Sequence, residues 1–138
     1  MPLVARPGAR YALAMRPIAA FCMTLMLASV AQADPRTPLY GTWGTAAQCT
    51  GALIKPGGTR RATPFELRPG WLHHGGLWCR LAWFPPIPRN GGLFAGAIAH
   101  CGEDSARSYR LGLSLAGDEL TLIWDDALAN GPLRRCPG

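Results

Sequence analysis

The chain has 138 residues and a formal net charge of +6, with 14 Lys and Arg against 8 Asp and Glu. That length suits a single domain. Its basic residues pair up only at Arg60-Arg61 and Arg134-Arg135 and form no dense stripe, so charge makes no case for nucleic-acid binding.

The chain opens as an export signal. Arg6, Arg10 and Arg16 precede the apolar run Ile18–Val30, and Ala31-Gln32-Ala33 follows, in the order basic region, apolar region, small-residue cleavage site. The run is shorter than the roughly 20 apolar residues of a membrane-spanning helix, so residues 1–33 read as a signal peptide removed after Ala33, leaving no stable membrane anchor. Met15 alone could open a compact signal, which makes it a candidate true start. Cys22 follows Phe21 and lies early in the apolar run, which does not suit lipidation. Removing three arginines lowers the net charge to +3 and keeps all five tryptophans, Trp43, Trp71, Trp78, Trp83 and Trp124.

Residues 34–39 read as a flexible lead-in, and residues 40–138 as one β-rich domain. Tyr40–Ala46 alternates large and small residues as a half-buried strand does. Short strands follow over Thr63–Leu67 and Trp71–His73, separated by Pro69-Gly70, with Gly75-Gly76 as the next turn. Leu77–Phe84 is apolar on both faces. Pro85, Pro86 and Pro88 lack a donor N–H, which predicts a long exposed loop up to Gly92. Leu93–Cys101 returns as a strand with small residues at Ala95, Gly96, Ala97 and Ala99. Arg107–Leu115 alternates most clearly, with Tyr109, Leu111, Leu113 and Leu115 on one side. After the turn Ala116-Gly117-Asp118, Glu119–Trp124 completes a hairpin with Leu120, Leu122 and Trp124 inward. Asp125–Gly131 reads as irregular, with room for one helical turn, and Leu133–Cys136 as a terminal strand or tail.

With Cys22 gone, Cys49, Cys79, Cys101 and Cys136 remain, and an even number in a small exported domain implies two disulfides. Zinc is disfavoured because no two of these cysteines are close in sequence, as zinc ligands usually are. Of the three possible pairings, Cys79–Cys101 suits a pair flanking a hairpin. Cys49–Cys136 would tie the first strand to the last, as closing a barrel requires. The fold class is all-β: a small antiparallel barrel or sandwich of about seven or eight short strands.

The signal peptide, Gly41-Thr42-Trp43 followed shortly by Cys49, the spaced strand cysteines and a cysteine near the end together resemble small periplasmic β-barrel proteins of bacteria, including protease-inhibitor and lysozyme-inhibitor families. The resemblance spans most of residues 40–136 and implies a barrel. The loops or N-terminal segment through which those families inhibit have no matching residues here, so it implies no site residues.

Catalytic constellations are weak. His73 and His74 face opposite sides of an extended strand; His74 with His100 and Asp104 would need three strands to converge on a metal. Ser105, Ser108 and Ser114 lie in no nucleophile-elbow motif. Glu103-Asp104 and Asp125-Asp126 are adjacent rather than facing pairs, unlike glycosidase carboxylates. The expectation is a monomeric, non-enzymatic domain of the periplasm or the extracellular space, without metal or cofactor, that binds an unidentified protein and inhibits an envelope hydrolase. Its proposed contact is the proline loop, with Phe84, Ile87 and Arg89 as a compact anchor, an end of the barrel, or the outer face carrying Trp78 and Phe84. The alternatives are a carrier with a small apolar ligand inside the barrel and an envelope enzyme using His74 or His100.

Overall fold

The computed structural model describes residues 31–103 and 105–138; most of the expected signal peptide lies outside them. Gln32–Gly138 forms one compact unit. Its strands are β1 (Gly41–Gly44), β2 (Phe65–Arg68), β3 (Trp71–His74), β4 (Leu77–Trp83), β5 (Ile87–Arg89), β6 (Gly92–Cys101), β7 (Arg107–Ala116), β8 (Glu119–Trp124) and β9 (Leu128–Arg135). Every pairing between them is antiparallel. β1–β2–β3–β4 continues through β6–β7–β8–β9 and returns to β1, so eight strands close a barrel and β5 is the extra strand beside β6. The all-β barrel expectation and both disulfides, Cys49–Cys136 and Cys79–Cys101, are observed.

Period-two alternation sorts the side chains. Leu111, Leu113 and Leu115 of β7 and Leu120 and Leu122 of β8 fill the interior, as alternation requires. On β6 the inward residues Ala95, Ala97 and Ala99 are small because large ones face them: Ala95 pairs with Leu113 and Ala97 with Leu111. Such alternation of small and large fills a narrow barrel without voids. Cys79 and Cys101 are direct cross-strand partners, and both are buried, so their disulfide is part of the core.

Four segments depart from expectation. Residues 34–39 are packed on the barrel rather than left as a lead-in: Thr37–Leu39 is a 3-10 helix and Leu39 is fully buried. The indole of Trp43 donates to Leu39 O at 2.8 Å, the Arg135 guanidinium donates to Tyr40 O at 2.7 Å, and Arg36 lies 5.2 Å from the Trp83 ring. The expected loop after Phe84 contains β5. Proline is tolerated there because β5 pairs only with β6, leaving an outer edge where Pro88 forfeits no ladder bond. Asp125 and Asp126 both have positive φ, and Ala127 N–H donates to Trp124 O at 2.9 Å, a primed-type turn that lets β9 start at Leu128 where an irregular stretch was expected. Finally, Ala46–Thr50 forms the short helix α1, which carries Cys49. Thr45 and Gln48 make a reciprocal capping box at its start and Gly51 ends it in the left-handed conformation.

The topology gives the barrel two unlike ends. The turns at Pro69-Gly70, Gly91 and Gly117-Asp118 gather at one end, where the buried Leu39 joins the core from the start of β1. The other end carries α1 with the 51–64 segment, the Gly75-Gly76 turn, the 102–106 connection and the Asp125-Asp126 turn.

Candidate functional site

The residues singled out from sequence fall on the barrel's outer wall. Phe84 lies over Gly96, with a ring carbon 3.4 Å from where a Cβ would sit, and is 52% exposed. Ile87 pairs with Phe94 and is 51% exposed, whereas the Arg89 guanidinium lies 5.6 Å from the Phe94 ring. These side chains share a convex apolar wall, with Phe94 inserted beside Arg89. Trp78, also half-exposed, lies apart from them toward the other end of β4, stacked on Trp71 with ring centroids 4.6 Å apart.

The histidines separate. His73 faces outward, 3.5 Å from Glu66, while His74 stacks on the buried Phe65 with centroids 3.9 Å apart. His100 is on the outer wall, its Nδ1 2.8 Å from Ser108 Oγ. That pair has nucleophile–base reach, but it joins direct neighbours across β6 and β7 on a convex surface. His74 and His100 therefore face opposite sides of the wall. Among the described residues no three His, Cys, Asp or Glu side chains group as metal ligands.

A concave site lies at the barrel's second end; a barrel end was one expected contact, but sequence reading named no residues for it. β3 and β8 end there with inward positions His74 and Trp124, and β2, β4, β7 and β9 begin there with Phe65, Leu77, Tyr109, and Leu128 and Asn130. Together they line a cup of about 430 Å3, within the size range of small-ligand sites. Tyr109 and Trp124 meet edge to face at 6.0 Å. The Trp124 indole donates to Asn130 Oδ1 at 2.9 Å, and the Asp125 carboxylate accepts from Arg110 N–H at 2.8 Å. With those polar groups engaged, the cup presents mainly aromatic and aliphatic carbon. Its lip carries exposed apolar side chains: Leu77 is 37% exposed and Leu128 62%.

His74 belongs to a second wall as well. With Gly75 and Gly76 it borders a depression of about 530 Å3 whose other side is formed by Gln48, Ile54, Thr63, Arg60 and Arg61. The Arg61 guanidinium donates to Gly51 O at 2.9 Å, which holds that side chain against the end of α1. The apolar cup and the basic depression thus adjoin at His74.

The strongest electrostatic perturbation lies at the opposite end. The hydroxyl of Tyr40 donates to Asp34, which also accepts from the N–H and guanidinium of Arg36; led by the Tyr40 bond, these contacts lower the Asp34 carboxyl to about 2. Burial, then the Asp34 contact, raises Tyr40 to about 12. Those groups clamp the start of the barrel and line no cavity with the cup. No protein-family model, curated protein or solved structure matches this chain.

Proposed function

We propose that this protein is an exported, non-enzymatic binding domain whose contact site is the aromatic cup at the second end of the barrel. The observation that carries this reading is the cup itself: about 430 Å3 of concave apolar surface, with Leu77 and Leu128 left exposed at its lip. Exposed apolar patches on a small domain signal binding. The two disulfides suit an oxidising compartment, and the signal pattern of residues 1–33 supplies the route.

The leucine- and alanine-filled interior favours binding at the mouth over a ligand enclosed within the barrel. An envelope hydrolase restrained by this domain would present an apolar side chain to the same cup, which is the form an inhibitory role takes here. A neutral naphthylamine dye, N-phenyl-1-naphthylamine, tests the cup directly. The oxidised protein is expected to enhance the dye's emission and transfer energy from Trp124, and Leu128→Glu to abolish both while near-ultraviolet circular dichroism stays native. Equal enhancement by the folded Leu128→Glu protein would overturn the assignment.

A further inference from the structure

Resting on the cup as the contact site, we infer that its occupant is the hydrocarbon end of a single-chain anionic amphiphile, with a carboxylate or phosphate head held against Arg60 and Arg61. Three observations converge on this class. Within the cup the Trp124 indole is engaged by Asn130 and the Asp125 carboxylate by the Arg110 amide, so most of what it offers a bound group is apolar contact. A polar part of the ligand must then sit at the rim.

The rim is electrically asymmetric. Between Thr45 and Phe65 the chain carries Lys55, Arg60 and Arg61 and no acid. Among the described residues, none of these three cations forms an ion pair. Across the cup stands Asp125, while its neighbour Asp126 is engaged by Arg110 at 2.9 Å. An anionic head is repelled from the Asp125 side and attracted to the Arg60–Arg61 side, which orients the molecule.

Finally, the two depressions adjoin through one side chain. His74 walls both, and the chain runs from it through Gly75 and Gly76 to Leu77 at the lip. A flexible chain with a charged end can span that junction, with its tail against Phe65 and Trp124. Arginine's fork suits either head, since carboxylate and phosphate oxygens both accept bidentate bonds.

The test displaces the neutral dye with dodecanoate, dodecyl phosphate and dodecan-1-ol, each below its micelle concentration. The expected result is that at least one anion displaces the dye about tenfold more effectively than the alcohol, the gain of charge-assisted bonds at a partly exposed site. Replacing both Arg60→Ala and Arg61→Ala is expected to bring that anion down to the alcohol's level without changing the alcohol's own displacement. Whichever anion keeps the advantage identifies the head. Equal displacement by all three compounds, or an advantage that survives the double arginine replacement, would overturn the anionic inference and leave the cup standing. Failure of the dye itself to bind removes both.

Discussion

Replacing Cys49 and Cys136 together by alanine probes the barrel's weakest seam. β1 and β9 pair through only Trp43–Arg135 and Gly44–Arg134, extended by the Cys136 N–H bond to Thr42 O at 2.9 Å. By contrast, β6 and β7 pair along ten positions from Gly92–Ala116 to Cys101–Arg107. The Cys49–Cys136 disulfide spans 87 residues of sequence. In the chain-entropy account a closed loop of that length is worth about 4.6 kcal/mol, against about 3.4 kcal/mol for the 22-residue separation of Cys79 and Cys101. For a small domain the first figure is a large part of its whole stability, which is about 5–15 kcal/mol. Urea denaturation followed by tryptophan emission is expected to show a loss of that order with little change in slope. Hydrogen exchange should quicken first at Trp43 and Gly44. A loss under about 1 kcal/mol, or seam amides exchanging no faster than those of β6 and β7, would refute the idea that this cross-link holds the barrel shut.

Two further outcomes follow from the geometry. A Cβ at Gly92 would lie 1.8 Å from Leu115 O and 2.9 Å from its carbonyl carbon, backbone atoms that cannot yield without opening the β6–β7 ladder. Gly92→Ala should cost about 3 kcal/mol or more, whereas Gly76→Ala, with nothing within 4 Å, should stay within about 0.5 kcal/mol; thermal melts of the two side by side decide it. Because the Asp34 carboxyl is depressed from 3.8 to about 2, its contribution is complete above about pH 4 and fades as pH falls toward 2. Asp34→Asn should therefore lower stability by a near-constant amount above pH 4, flatten the profile between pH 4 and 2 and change it little below that, and an unaltered profile in urea titrations would remove the clamp from the account.

Alternation alone was enough to read β7 and β8, because each has a solvated face and a buried face, so one period of two names both the strand and its inward side, while β6 was legible as a run of apolar and small residues. The cysteines were legible for a related reason: strand order in a sequential barrel puts hairpin neighbours together and joins the first strand to the last. α1 left a local trace too, Thr45 and Gln48 three apart with Gly51 beyond, a capping signal easily passed over in a segment too short to show helical periodicity.

The proposed contact surface left no such trace. Tyr109 and Trp124 read as inward residues and are inward, yet inwardness does not distinguish a residue packed in the core from one lining a mouth. That distinction depends on how far each neighbouring strand extends past the residue, which is set by the stagger of the whole barrel rather than by any local pattern. Phe84 and Ile87 stood out as a loop anchor because a run of prolines marks a break, but pairing with β6 turned that run into an edge strand on a convex wall. The amino-acid sequence by itself determined β6, β7 and β8, the inward faces of β7 and β8 and the favoured cross-links, since these follow from nearest-neighbour chemistry, but it read β5 and the start of β9 as loop. Only the tertiary structure decided that one end of the barrel receives Leu39 while the other gathers Phe65, His74, Leu77, Tyr109, Trp124 and Leu128 into a cup, because those six come from six different strands and meet only when the sheet closes.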